Sequence, residues 1–325
     1  MSNILITGVA GFIGSHLSEY LSNKYPALNF IGIDKLSYCS NLKNISNVGS
    51  NFKFIQADIC ELDFMRFLLT EYQIDIIIHF AAYSHVDHSF GNSLEFTKNN
   101  IVGTHSLLEA ARAYNDIYRQ SDLKGIKKFI HVSTDEVYGS VDDISSENSI
   151  LDPTNPYSAS KAAAEHLVRS YYHSFKLPII ITRGNNVYGP KQFPEKVIPR
   201  FCLNLLNDQK CAIQGTGQQS RSFMYIDDVV KAFECVLFKG KIGEIYNIGI
   251  DKEYSINQLS QMIIKKLKND NGNWIEYVKD RDFNDIRYNI NFDKLIELGW
   301  SPEITFEEGL DLTIEWYKNH LNYWE

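Results

Sequence analysis

One stretch limits the architecture more than any other. The β-rich run Asn3-Ile4-Leu5-Ile6-Thr7 leads straight into Gly8-x-x-Gly11-x-x-Gly14, which opens a helical pattern near residues 12–24. Glycines at that spacing let the turn close tightly and let a pyrophosphate approach the backbone. The helix N-terminus then offers unpaired N–H groups and the positive end of its dipole. Asp34 ends the next β-rich run, about 20 residues beyond the last glycine, where a carboxylate can hold a ribose diol. A 2′-phosphate would be repelled there, so the pattern favours NAD over NADP. A glycine trio alone is weak and Asp34 alone reads as a loop acid; the strand–turn–helix setting joins them.

The rhythm after this start fits one architecture. Candidate strands at Asn3–Thr7, Phe30–Asp34, Phe52–Gln56, Ile76–Phe80, Lys128–Ser133 and Ile179–Arg183 alternate with helical stretches near 12–24, 61–71, 93–114 and 156–175. The strands lack a polar alternate face, as expected when helices cover both sides of a sheet. The pattern predicts an α/β fold with a Rossmann-like, doubly wound parallel sheet. After about residue 184 the alternation breaks in a Gly-, Pro- and Asn-rich stretch, Gly184–Pro194. We therefore expect a cofactor domain over residues 1–184 and a smaller, interleaved substrate lobe over 185–325. A strand near 244–249 should return to the main sheet. A helix near 255–268 carries Ile256, Leu259, Met262, Ile263 and Leu267 on one face, with Ser255 as its cap. A last helix should begin at Thr305, where Thr305-x-x-Glu308 fits a capping box.

Composition excludes several classes. With 325 residues the chain can bury a large core, and 44% apolar against 22% charged residues is ordinary for a folded globular protein. Thirty-two basic and 40 acidic residues leave a formal charge of −8, so no footprint for nucleic acid or an anionic membrane is present. No apolar run is long enough to span a bilayer and the N-terminus does not read as a leader. The five cysteines include no Cys-x-x-Cys pair, which suits free thiols in a reducing compartment and a cytoplasmic location.

Two further motifs carry chemistry. Tyr157-x-x-x-Lys161 opens a helix that Asn155 can cap and Pro156 can start. Residues four apart share a helix face, so the ammonium is expected to lower the tyrosine pKa and make Tyr157 a usable base. Thr134-Asp135-Glu136 follows the fifth strand, at the end where open α/β sheets bind ligands. Thr134 offers a hydroxyl to a reacting oxygen. Two adjacent carboxyls can have their pKa values pushed apart, leaving one as acid and one as base. A simple oxidoreductase needs neither, whereas elimination of water needs both.

The glycine spacing and the Tyr-x-x-x-Lys pair resemble extended short-chain dehydrogenases. The segments Thr7–Leu17, His79–Asp87, Ser133–Gly139, Asn155–Lys161 and Asn186–Pro199 resemble nucleotide-sugar 4,6-dehydratases, over nearly the whole chain. Phe90–Asn100, Thr182–Pro190 and Arg281–Tyr288 resemble the UDP-glucose branch, which includes the N-terminal domain of plant-type rhamnose synthases. The resemblance implies that Tyr157 takes the 4-hydroxyl proton while hydride passes from C4 to NAD⁺. Glu136 then removes the C5 proton, Asp135 protonates the departing 6-hydroxyl, Thr134 bonds the 4-oxygen, and hydride returns to C6. It also implies a homodimer paired through the helices near 93–114 and 156–175.

Site residues carry over by motif. Phe12 and Ile13 would offer N–H groups to the pyrophosphate; Asp34, Lys35 and Ser37 would border the adenosine ribose; Asp58 and Ile59 would flank adenine. Phe80, Ala81, Ala82 and Asn99 would line the cofactor, and Ser84 would meet the sugar. Asn186, Glu195, Lys196, Asn247, Arg221, Arg281 and Asn284 match substrate-side positions, with Arg221 and Arg281 as diphosphate ligands. Tyr83, Asn99, Asp282 and Asn284 depart from the dTDP-glucose pattern and bear on nucleotide preference. His79, His85, Asp87 and His88 cluster in sequence, but no spacing fits a zinc motif, so no metal is expected. Rival readings are a 4-epimerase or UDP-glucuronate decarboxylase, which generally lack the Asp-Glu pair, and a catalytically silent NAD sensor.

Overall fold

In a computed structural model, residues 2–119, 125–140, 143–268 and 272–325 are described. Strands β1 (Asn3–Thr7), β2 (Asn29–Asp34), β3 (Phe52–Gln56), β4 (Ile76–His79), β5 (Lys128–Thr134) and β6 (Ile179–Gly184) form most of one sheet. The short strands β7 (Asn186–Tyr188), β8 (Cys211–Gln214) and β9 (Ser220–Tyr225) follow. Next come β10 (Ile245–Ile248), β11 (Glu253–Ser255) and β12 (Ile275–Val278). The large sheet runs β10-β6-β5-β4-β1-β2-β3, all parallel. The order reverses between β1 and β4, so a crevice opens beyond the carboxyl ends of these two strands. This is the doubly wound sheet that the alternation predicts, with β10 added from the chain's second half.

Helices cover both faces because the strands offer apolar side chains on both. On one face α1 (Phe12–Lys24) sets Leu17 and Leu21 into a core shared with Val229 and Phe233, which lie on the later helix Ile226–Lys239. On the other face α2 (Leu62–Glu71) packs Met65 and Leu68 against Leu107 and Leu108 of the helix Gly103–Arg119 and Val168 of Pro156–Phe175. The smaller lobe holds two little sheets, β11-β9-β7 and β12-β8, packed with helices Val197–Leu206 and Ile256–Leu267. The expected caps form: Ser255 and Gln258, then Thr305 and Glu308, each make reciprocal capping boxes. No helix among the described residues is long and apolar enough to cross a membrane. All five cysteines are free.

The stretch expected as one helix near 93–114 departs from regularity. Helical turns at Ser93–Phe96 and Gly103–Arg119 are joined by wider π turns over Thr97–Val102. The added residue per turn lets two consecutive side chains, Asn99 and Asn100, both turn inward; they are 4% and 1% exposed. Such π segments concentrate at functional sites. Asn100 bonds the backbone of Tyr83 on both sides, accepting from its N–H at 2.8 Å and donating to its carbonyl at 2.9 Å. The loop after β4 is thereby tied to this helix.

A buried ion pair locks the helix Pro156–Phe175 to the sheet. Arg183 on β6 donates from Nε and Nη2 to Glu165, with a closest approach of 2.7 Å and almost no exposure of either side chain. Its Nη1 donates to the Tyr138 hydroxyl at 2.8 Å and the Glu147 carbonyl at 3.2 Å. Glu165→Gln should leave the guanidinium buried without a counter-charge and cost about 3–5 kcal/mol. Urea unfolding checks this; a loss below about 1 kcal/mol would show that the pair is not what holds this helix.

Candidate active site

The glycine turn is built to leave room. Gly8 has φ +75°, and a Cβ there would lie 2.9 Å from the Ala81 backbone. A Cβ on Gly14 would fall 2.3 Å from the Gly8 carbonyl oxygen. Only glycine lets α1 start this close to the sheet, with its N-terminus facing the crevice. Asp34 stands at the end of β2 and organises the rim. Its Oδ2 accepts from the Ala10 N–H at 3.0 Å, and its Oδ1 accepts from the Leu36 N–H and the Ser40 hydroxyl. A cradle that any side chain would fill, closed by a carboxylate, fits a dinucleotide carrying an unphosphorylated ribose.

A cleft of about 330 Å³ runs from this cradle past the ends of β4 and β5. Gly8, Gly11, Phe12, Ile13, Gly14, Asp34, Lys35, Ser37, Ile59, Phe80, Ala81, Ala82 and Asn99 line one end. Ser84, Thr134, Glu136, Tyr157, Lys161, Asn186, Glu195 and Lys196 line the other. Most of the sequence-derived site thus converges on one surface. Asp58 does not reach the wall. It lies 3.8 Å from the Lys35 ammonium and accepts from the Cys60 N–H at 2.9 Å, so it acts on the cleft through Lys35.

The chemical end holds buried titratable groups in contact. Asp135 is 2% exposed, and burial with the neighbouring Glu136 carboxylate pushes its carboxyl up to about 7. Burial also raises Glu136, while the guanidinium of Arg221 and the ammonium of Lys196 pull it back down. Asn185 donates to Asp135 Oδ2 at 2.7 Å. Asn155 donates to Glu136 Oε2 at 3.3 Å, and the Tyr288 hydroxyl lies 3.4 Å from that oxygen while donating to the nearer Asp285 carboxylate. A carboxyl held up to about 7 stands beside a second buried carboxyl that two cations moderate, a pair from which one acid and one base can be drawn.

The tyrosine corrects an expectation. Its phenol is raised, not lowered: burial dominates, and the Glu136 and Asp135 carboxylates add to it, against one hydrogen bond with Thr134. Lys161 is not among the groups that act on the phenol; its ammonium donates to the Val132 carbonyl at 2.6 Å. Burial holds Lys161 itself down to about 8. Shared helix face was correctly inferred, but the nearest charges to the phenol are negative.

Some of the residues expected on the substrate side come together and one is removed. Arg221 and Arg281 both reach the amide oxygen of Asn284, Arg221 at 3.5 Å and Arg281 in a closer contact. Arg221 also donates to the Ser220, Asp285 and Ile286 carbonyls and lies over the Tyr288 ring. Arg281 pairs with Asp87 at 3.4 Å. Arg221 and Arg281 are not among the residues that line the cleft, although both guanidiniums act on the carboxyl of Glu136, which does line it. Asn247 leaves the site: it is fully buried on β10, accepts from the Tyr138 hydroxyl at 2.8 Å and donates to the Asn291 carbonyl at 2.8 Å. Sequence reasoning missed Asn185 and Tyr288. Neither sits in a spacing that announces it, since each meets its carboxylate only through tertiary contact.

Comparison with known proteins decides the class. A family model for GDP-mannose 4,6 dehydratase matches residues 5–313. The chain belongs to the nucleotide-sugar 4,6-dehydratase family. It is 48% identical to the dTDP-D-glucose 4,6-dehydratase of Dictyostelium discoideum, covering all of this chain and 83% of that protein. It is 51% identical to the trifunctional UDP-glucose 4,6-dehydratase/UDP-4-keto-6-deoxy-D-glucose 3,5-epimerase/UDP-4-keto-L-rhamnose reductase of Arabidopsis thaliana. That match covers 99% of this chain but 48% of the plant protein. The dTDP-glucose 4,6-dehydratase from Streptomyces venezuelae, solved with NAD bound, superposes with a TM-score of 0.92 at 36% identity over 99% of both chains. This 4,6-dehydratase is an NAD-dependent hydro-lyase of nucleotide sugars, on a Rossmann-type sheet.

The raised Asp135 carboxyl has a consequence for stability. A carboxyl whose folded pKa lies above its unfolded value near 3.9 contributes most below that value. The contribution is then lost as pH rises through about 7. Asp135→Asn should therefore gain in Tm over the parent as pH rises from 4 to 8, with the difference levelling off above pH 7 to 8. Scanning calorimetry across that range checks it, and a pH-independent difference would refute the burial argument.

Proposed function

We propose that the substrate of this 4,6-dehydratase is UDP-glucose, converted to UDP-4-keto-6-deoxyglucose and water on the route to UDP-rhamnose. The observation that carries the reaction is the buried Asp135–Glu136 pair beside Tyr157 and Thr134 at the end of β5. NAD⁺, when bound, supplies the acceptor for the C4 hydride and gives it back at C6. The glycine cradle, Phe12, Ile13, Asp34, Lys35, Ser37, Ile59, Phe80, Ala81, Ala82 and Asn99 would hold it, with Asp58 acting through Lys35. Tyr157 takes the 4-hydroxyl proton and Thr134 donates to the 4-oxygen. The C4 ketone acidifies the C5 proton, which Glu136 abstracts and gives back to C5 as the hydride reaches C6. Asp135, protonated over much of its population at neutral pH, gives its proton to the departing 6-hydroxyl, and water leaves.

On the substrate side, Ser84, Asn186, Glu195 and Lys196 would contact the sugar or diphosphate directly. Arg221 and Arg281 would turn a guanidinium toward the diphosphate from the cluster around Asn284. The UDP assignment is supported by the segment Arg281–Tyr288, which resembles the UDP-glucose branch and carries Asn284 between the two arginines. The second reading, dTDP-glucose, is favoured by the 48% identity to the slime-mould protein. We further take residues 1–184 with β10 as the cofactor domain and most of 185–325 as the substrate lobe. The working form would be a cytoplasmic homodimer, paired through the faces that expose Leu94 and Val102 at 81% and 47%.

Incubation with UDP-glucose should yield a product lighter by one water in mass analysis, without net reduction of NAD⁺. Asp135→Asn and Glu136→Gln should each lower turnover by roughly 10²–10⁴ while NAD binding survives. Near-normal product from the double variant would remove the acid–base assignment. The ratio of kcat/KM for UDP-glucose over dTDP-glucose should be about 5- to 150-fold, the value of one polar group left unpaired. Equal values, or a preference for dTDP-glucose, would reject the UDP assignment and leave the dehydration intact. Light scattering at micromolar concentration should give twice the chain mass of 37.4 kDa; the monomer mass would reject the pairing.

A further inference from the structure

At the rim of the cleft three side chains from distant parts of the sequence point at one another. His85 caps the helix Val86–Gly91 and His88 lies within its first turn, so the two imidazoles meet with ring centroids 4.5 Å apart. Glu195 arrives from the loop before the helix Val197–Leu206 and sets Oε2 3.9 Å from His85 Nδ1. One nitrogen from each ring and one oxygen of Glu195 all lie within 4.8 Å of one another. We propose that His85, His88 and Glu195 bind a single borderline divalent cation, with Zn²⁺ the best fit.

Several independent observations support this. The His85 Nδ1 is buried and has no hydrogen-bond partner, a state that costs free energy unless something fills it. Two imidazoles and one carboxylate are the donor set of open zinc sites, with the fourth position left to water. Magnesium and calcium prefer all-oxygen shells, so the nitrogen pair selects against them. Ligand bonds of about 2.0–2.1 Å require donor–donor edges of about 3.4 Å, so closure needs movements of about an ångström. His88 is exposed and free to supply most of that movement. An outer shell is already in place: the Tyr38 hydroxyl donates to Glu195 Oε2 at 2.9 Å, and the Tyr38 ring packs 5.2 Å from that of His88. Opposing it, the Lys196 ammonium stands 4.0 Å from the other Glu195 oxygen, though it is spent on the Ser84 carbonyl at 2.7 Å.

No spacing in the sequence announces this site, because its third ligand lies more than a hundred residues from the histidines. Glu195 also lines the cleft. A bound cation would therefore withdraw its carboxylate from the substrate, a consequence that rests on the substrate role proposed above.

The test titrates the full metal-free chain with Co²⁺. The wild type should show the intense visible bands of a four-coordinate site, saturating at one equivalent and bleached by Zn²⁺. His88→Gln and Glu195→Gln should each weaken binding by at least about tenfold, as loss of a ligand outweighs loss of an outer-shell partner. His173→Gln, on a remote exposed helix end, should change nothing. Weak octahedral bands only, or equal affinity in wild type and His88→Gln, would overturn the proposal. Zn²⁺ should also inhibit the wild-type dehydratase and spare His88→Gln. If the Co²⁺ bands form with no inhibition, the metal site stands and the substrate role of Glu195 falls. If no bands form while UDP-glucose is dehydrated, the metal site falls and the function stands.

Discussion

A chain of hydrogen bonds across the β1–β4 seam underlies everything built on it. The Ala81 N–H donates to the Thr7 hydroxyl oxygen at 3.0 Å, so the Thr7 hydrogen is left for His79 Nδ1 at 2.8 Å. The His79 Nε2–H then donates to Thr104 at 2.9 Å, and the Thr104 hydroxyl donates to the Asn100 carbonyl at 2.6 Å. This relay assigns the His79 tautomer by donor counting, and burial keeps the ring neutral by pushing its pKa down to about 3. The seam is also where strand order reverses and where a crevice must open in a doubly wound sheet. Each link therefore joins the crevice floor to a wall: Thr7 to the glycine turn, Ala81 to the loop after β4, Asn100 to the π turns that face Asn99 inward.

The chemistry at the far end depends on how little of it is solvated. Asp135, Tyr157 and Lys161 are 2%, 8% and 5% exposed, so each is pushed toward its neutral form. For Asp135 this is useful, since an acid must hold its proton near neutrality. For Tyr157 it works against a base and keeps the proton on until something else removes it. Arg221 and Lys196 oppose the upward push of burial on Glu136, and Arg221 opposes it on Asp135 as well. The two carboxyls are sorted by their surroundings: Asp135 lies beside Glu136 and Asn185, whereas Glu136 meets Arg221, Lys196 and Asn155.

That sorting needs the interleaved chain path. The segment from Ile226 to Ile248 leaves the lobe, covers one face of the sheet and adds β10 beside β6. Asn185 gains its place in the same way: its oxygen accepts from the Ile250 N–H at 3.1 Å while its nitrogen serves Asp135. The acid's position is consequently set by a residue from after β6 and a backbone group from after β10.

Local chemistry made much of this legible in advance. Uninterrupted apolar strands between helical periods can only be buried on both faces, so the parallel sheet followed from pattern alone. Gly8, Gly11 and Gly14 followed from a turn that no side chain fits, Thr134, Asp135 and Glu136 from residue types at the carboxyl end of a strand, and Tyr157 and Lys161 from a four-residue spacing on one helix. Local spacing carries no information about charge neighbours, burial depth or contacts between distant segments. Tertiary structure therefore decided that the nearest charges to Tyr157 are carboxylates, that Asn247 is walled in by Tyr138 and Asn291, and that Arg221 and Arg281 share Asn284. It also brought Glu195 to His85 and His88, because electrostatics and coordination act through space and not along the chain.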